Sequence, residues 1–222
     1  MTALVQSSIL LNRIHHPVTV LGHGTRAGVW FQGCTIRCPG CMAIDTWRPD
    51  AATAVPVTDV LGWLAILQPA ELDGITISGG EPTEQPEALA SLLSGICSLR
   101  QDRPPGVPPL DVLVYTGRPV AWAKREGRAI LAGADAVVAG PFVAEQAGTS
   151  PLRGSENQRL ILLTRLGADR YAADRLPARD TLQVEVADGE VRLTGIPLPG
   201  VLDSIENGLR QCGFHVRGRT WQ

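Results

Sequence analysis

Apolar residues recur along the chain in two rhythms, and the alternation of those rhythms predicts its architecture. Gly28 to Gln32, centred on Val29-Trp30-Phe31, reads as a first core strand, and Gly74-Ile75-Thr76-Ile77-Ser78 as the next. Between them Val60, Leu61, Leu64 and Leu67 fall at helical spacing behind Thr58 or Asp59 as a cap, with Pro69 as the stop. A second helix is predicted from about Pro86 to Leu99, with Leu89, Leu92, Leu93 and Ile96 on one face. Arg103 to Pro109 is too rich in proline for regular structure, because proline removes a donor and fixes φ. Leu110 to Tyr115 predicts a third strand, Val120 to Ile130 a helix, Ala134 to Val138 a fourth strand and Arg159 to Leu163 a fifth. Strands that alternate with helices and are apolar on both faces argue for an α/β fold, a parallel sheet covered by helices.

Beyond Tyr171 the pattern changes. Leu182 to Val186 and Glu190 to Leu193 alternate with period two around Asp188-Gly189, a hairpin signal, and Val201 to Gln211 carries Val201, Ile205 and Leu209 on one helical face. The chain divides on this reading into a main domain, 1–168, and a hairpin-plus-helix appendage, 169–222, packed on it.

The unusual residues gather at the strand ends. Cys34-Thr35-Ile36-Arg37-Cys38-Pro39-Gly40-Cys41 follows the first strand, Gly79-Gly80-Glu81-Pro82 the second, Tyr115-Thr116-Gly117 closes the third, and Gly140-Pro141 follows the fourth. Ligands of parallel α/β folds bind at the carboxyl ends of strands. Closely spaced soft thiolates select zinc or iron–sulfur clusters. Closed zinc sites and ordinary electron-transfer clusters need four protein ligands, and C-x3-C-x2-C supplies three. The site either borrows a remote ligand, with His15, His16 or His23 as candidates for zinc, or leaves one metal open. No second C-x2-C element accompanies it, and Cys97 and Cys212 stand alone.

Composition narrows the partners. The 222 residues are 44% hydrophobic and 19% charged with a net charge of −2, which disfavours nucleic acid. No apolar run approaches the ~20 residues that span a bilayer, and Met1 to Asn12 lack the features of a signal peptide. A cytoplasmic location is expected, with clustered cysteines serving metal rather than disulfides.

Gly22 to Trp47, with Gly24-Thr25-Arg26, Phe31-Gln32-Gly33 and the three cysteines, resembles the radical S-adenosylmethionine enzymes, and among them the activating proteins of anaerobic ribonucleotide reductase. Ser78-Gly79-Gly80-Glu81-Pro82 is similar to that family's glycine-glycine-acidic motif. Tyr115-Thr116-Gly117, Ala139-Gly140-Pro141-Phe142 and Arg153-Gly154-Ser155-Glu156-Asn157-Gln158-Arg159 resemble its later motifs, so that the likeness covers about 14–165. The resemblance implies an incomplete parallel (β/α)6 barrel. It implies that Cys34, Cys38 and Cys41 hold three irons of a 4Fe-4S cluster whose fourth iron binds S-adenosylmethionine, and that an electron from the cluster cleaves this cofactor to methionine and a 5′-deoxyadenosyl radical.

Residue types then suggest roles. Gly79 and Gly80 would let backbone approach the ligand, and Glu81 would accept from its ammonium. Gly40 and Met42 flank the last cysteine where the cofactor would pass, Tyr115 is a candidate for adenine, and Arg153, Ser155, Asn157 and Gln158 are candidates for the nucleoside or substrate. His23 reads as structural, and Arg37 as a charge near the cluster or a solvated side chain. The expected task is to abstract hydrogen from a backbone glycine of a partner glycyl-radical enzyme, with flavodoxin or ferredoxin as reductant and no role for nucleic acid or membrane. The rivals are a radical enzyme acting directly on a peptide or small molecule, and a non-catalytic zinc or iron–sulfur module. Where this chain has Met42-Ala43, the activating proteins often carry Asn-Pro, and the tail from about Tyr171 exceeds the shortest of them, so the substrate is the open question.

Overall fold

The computed structural model describes residues 7–172, 176, 182–187 and 189–221. Seven strands form one sheet: β1 (Ser8–Val18), β2 (Arg26–Phe31), β3 (Ala54–Pro56), β4 (Gly74–Gly79), β5 (Asp111–Thr116), β6 (Ala136–Ala139) and β7 (Arg159–Leu162), in the spatial order β3-β1-β2-β4-β5-β6-β7. β2, β4, β5 and β6 run parallel, with Val29 opposite Ile77 and Ile77 opposite Val114. The remaining three are antiparallel neighbours, so the sheet is largely but not wholly parallel.

Two departures from the sequence reading have physical causes. β1 is unforeseen because its residues, Ser-Ile-Leu-Leu-Asn-Arg-Ile-His-His-Pro-Val, mix polar and apolar side chains at intermediate burial without clean alternation. β7 was expected as one more parallel strand. It pairs antiparallel because Gly140 to Gln158 contains only a 3₁₀ turn at Ala144–Gln146, and a parallel return requires a crossover, usually helical.

The sheet has two distinct faces. Ala27, Val29, Phe31, Ile75, Ile77, Val112, Val114 and Val137 point one way into the main core, where α1 (Val57–Ala65) and α2 (Pro86–Gln101) cover them. Leu89, Leu92, Leu93 and Ile96 of α2 are wholly buried there, each contributing about 1.5–3 kcal/mol by removal from water. On the other face, Trp30 packs with Val18 and Leu21, and Leu113, Ala136 and Val138 pack with Leu152 and Tyr171. Tyr115 touches both of these clusters.

Helix ends also differ from expectation. Pro56 stands at the N-cap of α1 without a side-chain cap bond, and Asp59 instead complements the dipole within the first turn. The helix ends at Ala65, before Pro69, which opens a separate 3₁₀ turn. α3 spans only Val120–Lys124, because Arg125 leaves helical geometry at φ −121°, ψ −92° and Gly127 lies under the Trp122 ring. α4 (Arg165–Arg170) follows β7, capped by the Thr164 hydroxyl, which accepts from Gly167 N.

The predicted hairpin is present as β8 (Leu182–Ala187) and β9 (Glu190–Gly195), followed by α5 (Val201–Gln211). The Asp188 of its predicted turn lies outside the described residues, as do the first six residues of the chain. Its polar side chains face the body: Gln183 donates to the Pro17 carbonyl at 2.7 Å, Thr194 accepts from Arg13 at 3.1 Å, and Glu185 lies 3.6 Å from His15. Val184, Val186 and Val191 face outward.

At the amino ends of the parallel strands a buried polar cluster ties the sheet together. Arg26 is fully buried, forms two bonds to Asp111 (3.0 and 2.9 Å), and donates to Thr76 Oγ1, the Ile75 carbonyl and the His23 carbonyl. Tyr171 donates to the same carboxylate at 2.6 Å. A Cβ on Gly74 would fall 2.1 Å from Arg26 Nη1, so a side chain here would push the guanidinium away from its partners. Gly24-Thr25-Arg26 is thus an anchor at the end of the sheet opposite the cysteines.

Candidate active site

β2 runs directly into the cysteine loop, whose two ends are stitched together. Gly33 N donates to the Thr46 carbonyl at 2.8 Å and Cys34 N to the Trp47 carbonyl at 3.0 Å. Gln32 is buried beneath them, its Nε2 donating to the carbonyls of Asp45 (2.9 Å) and Arg48 (2.7 Å) while its Oε1 accepts from Asn12. Within the loop Cys41 N donates to the Cys38 carbonyl, and Arg37 adopts φ 49°, a left-handed conformation uncommon outside glycine. Glu84 accepts from Thr35 N at 3.0 Å and joins the loop to the chain after β4.

This folding brings Cys34, Cys38 and Cys41 to the border of one cleft with Ser78, Gly79, Gly80 and Glu81. The cleft is open to solvent, has a cavity volume of about 130 Å³, and has Tyr115, Thr116, Gly117, Gly140, Phe142 and Gln158 along its other side. Burial pushes the Cys34 and Cys38 thiols above the ordinary range. Backbone N–H groups act against that rise, from Arg37 and Ile36 at Cys34 and from Phe142 at Cys38. Ala43 N donates to Cys41 Sγ at 3.4 Å. Hydrogen bonds to ligand sulfurs stabilise thiolate and tune the potential of a bound cluster, and the metal's charge offsets the cost of burial.

The fold itself supplies a reason for the two glycines beyond the one expected. A Cβ on Gly79, at φ +100°, would sit 2.4 Å from Phe31 N, and one on Gly80 would sit 2.2 Å from the Gly33 carbonyl oxygen. Gly80 N donates to Phe31 O and Glu81 N to Gly33 O, both at 2.8 Å. Glycine here lets the end of β4 press against the root of the cysteine loop. Both residues still border the cleft, but the atoms that exclude a side chain belong to the chain itself.

Glu81 is 1% exposed, and protein donors already surround its carboxylate. Oε1 accepts from Thr83 N (3.1 Å), Thr83 Oγ1 (2.6 Å) and Thr116 Oγ1 (2.8 Å), and Oε2 from Gly117 N (2.7 Å). Each carboxylate oxygen offers about two acceptor positions, so Oε2, with the single donor Gly117 N, retains the capacity to accept once more. Thr83, Thr116 and Gly117 carry this clasp and were not among the candidates, although Thr116-Gly117 ends a strand, which was the available signal.

Among the other candidates, Tyr115 borders the cleft. Its hydroxyl is buried with no partner among the described residues, and burial holds it protonated well above the usual range. Gln158 also borders the cleft, donating to the Gly140 carbonyl and accepting from Gly154 N. Gly40, Met42, Ser155 and Asn157 do not line it. Gly40 lies by Phe142 and Ala144, and the Met42 carbonyl accepts from Thr220 Oγ1. The fully buried Ser155 hydroxyl accepts from Val143 N, and Asn157 Nδ2 donates to the Pro141 carbonyl. Arg153 donates to the Gln158 carbonyl, and His23 lies 2.8 Å from Arg170 at the opposite end of the sheet, in keeping with a structural reading.

The donor set fits an iron–sulfur cluster with one open iron: three soft sulfurs, N–H groups directed at them, and a cleft beside Glu81 that is open to solvent. Among the described residues no three His, Cys, Asp or Glu side chains close on a single point as ligands of one ion must, whereas thiolates that each take a different iron need not.

Comparison with known proteins agrees with this chemistry. Residues 20–161 match the family described as 4Fe-4S single cluster domain. The anaerobic ribonucleoside-triphosphate reductase-activating protein of Haemophilus influenzae is 32% identical over 150 residues, 65% of this chain and 92% of the relative. That of Vibrio cholerae is 29% identical over 148 residues, with the same shares. The pyruvate formate-lyase-activating enzyme of Clostridium pasteurianum is 35% identical over 91 residues, 38% of each chain. With three cysteines, the Gly79-Gly80-Glu81 turn and an open cleft between them, the chain belongs to the 4Fe-4S single cluster domain family and is a radical S-adenosylmethionine enzyme of the activating type, with a 4Fe-4S cluster and S-adenosylmethionine as its cofactors.

Proposed function

We propose that this enzyme generates a glycyl radical on a partner enzyme, with an anaerobic ribonucleotide reductase as the first candidate. The observation that carries the reading is the cleft itself: the cysteine loop and Glu81 meet at the carboxyl ends of β2 and β4 in a site open to solvent, where a loop of another protein can reach. The names of its relatives support it, since they activate ribonucleoside-triphosphate reductase or pyruvate formate-lyase.

Cys34, Cys38 and Cys41 would hold the cluster, with Glu81 Oε2 accepting from the ammonium of S-adenosylmethionine. When bound, the reduced cluster and S-adenosylmethionine supply the hydrogen-abstracting 5′-deoxyadenosyl radical. The protein's part is orientation and exclusion of water. The Gly79–Glu81 turn is fixed by its bonds to Phe31 and Gly33, so the group that holds the cofactor and the loop that holds the metal move as one piece. The sheet is read as an incomplete (β/α) barrel, a reading supported by α1 and α2 covering one face while Tyr115 touches both apolar clusters of the other. A partner segment would seal its open side. Residues 169–222 would form an appendage packed on the barrel, and a flavodoxin or ferredoxin in the cytoplasm would deliver the electron.

Anaerobic enzyme, reconstituted with iron and sulfide and mixed with reductant, S-adenosylmethionine and the cognate reductase, should yield a stable doublet electron-paramagnetic signal from a glycine α-carbon. Brisk turnover on a free peptide or metabolite, with no protein radical on any glycyl-radical partner, would defeat the proposal.

A further inference from the structure

The limb that leaves the last cysteine has two backbone groups that the cysteine loop itself does not satisfy, and both are closed by one residue far away in sequence. Ile44 opens the 3₁₀ turn Ile44–Thr46, and the first N–H of such a turn has no partner within it. That N–H donates to the Thr220 carbonyl at 2.8 Å. The Met42 carbonyl accepts from the Thr220 hydroxyl at 3.1 Å. Thr220 is held in turn through its neighbour Arg219, which bonds Glu206 of α5 at 3.2 Å, and Glu206 is only 7% exposed. This segment lies beyond the 20–161 span shared with the cluster family, so the family's common chemistry does not account for it.

We propose that Thr220 is a positioning residue for the cluster: the strap Arg219–Trp221 clasps Met42 and Ile44, and so fixes the direction in which Cys41 presents its sulfur. The inference rests on Cys41 as a ligand. Within the loop, Gly33 and Cys34 bond Thr46 and Trp47, Cys41 N donates to the Cys38 carbonyl, and the Ala43 carbonyl accepts from Thr46 N and Oγ1, so the Met42 carbonyl and the Ile44 N–H between these bonds are the groups that Thr220 closes from outside. Here the chain carries Met42-Ala43, and a residue from elsewhere supplies both bonds.

The test uses amide hydrogen exchange on the metal-free chain and electron-paramagnetic spectra of the reconstituted, reduced enzyme with and without S-adenosylmethionine. A chain ending at Gly218 loses both bonds. Its Ile44 amide should exchange roughly tenfold to a hundredfold faster, as expected for two lost hydrogen bonds. Iron content should hold, while the spectral response to S-adenosylmethionine changes. If that chain fails to fold, a pair of point variants decides. Thr220→Val should speed Ile44 exchange about fivefold and alter the spectrum, and Thr220→Ser should behave as the parent. Unchanged exchange at Ile44 in the shortened chain, or Thr220→Val and Thr220→Ser that cannot be told apart, would overturn the proposal. Failure of the cysteine assignment would show separately, as a parent enzyme that binds no iron.

Discussion

Gly80 carries the sharpest change of expectation at the scale of a single residue. A side chain there meets the Gly33 carbonyl at the root of the cysteine loop, so Gly80→Val should lower iron loading as well as S-adenosylmethionine affinity. Iron analysis beside calorimetric titration checks this, and full iron with lost affinity would restore the ligand-facing role. For the metal, Cys38→Ala should abolish the cluster, whereas replacing Cys97 and Cys212 together should leave iron content and visible absorption unchanged. Far from the cleft, Asp111→Ala leaves the fully buried Arg26 without its carboxylate, and the loss should be about 3–5 kcal/mol, read from urea unfolding of the metal-free protein. Fully buried Arg26 was legible in the sequence only as part of a resemblance. No spacing rule pairs it with an aspartate 85 positions away.

Elements behave according to which face they bury. α2 was readable almost to its last residue, because four apolar side chains at helical spacing meet a continuous core. The hairpin β8–β9 was equally readable from its period-two pattern, but that pattern predicts only that two faces differ, not which of them packs. Here the polar face packs on β1 and the valines face outward. Val186→Asp should therefore change stability by no more than about 0.5 kcal/mol, since Val186 is 73% exposed, with the thermal midpoint as the measurement. A midpoint lowered by many degrees would mean that the valine face is covered.

For the whole molecule, the open question is what seals the cleft. Cleavage of S-adenosylmethionine without partner should be slow and should accelerate when the reductase is added, because an open site admits water and weakens its own electrostatics. Product analysis by chromatography decides it. The contribution of residues 169–222 can be tested by a chain that ends at Ala172 rather than before Tyr171, since Tyr171 donates to the buried Asp111 and must be kept. That chain should still load iron, and activation of the partner should fall less than when the partner's glycine loop is removed.

The sequence by itself pointed to the chemistry: local spacing in C-x3-C-x2-C is enough to state three soft ligands, and the open metal position followed from the resemblance that the Gly-Gly-Glu motif shares. It determined the strand–helix rhythm too, because helices and strands bury apolar residues at different periods. Tertiary structure alone decided what depends on distant partners. It set the antiparallel pairing of β1 and β7, where connections rather than strand composition choose direction. It showed that Gly79 and Gly80 are small because another backbone presses on them. It separated Tyr115 and Gln158, which reach the cleft, from Ser155 and Asn157, whose Oγ and Nδ2 bond Val143 N and the Pro141 carbonyl in neighbouring loop backbone. The reason is the same in each case: a side chain's type is written locally, but the atom it meets across the fold is not.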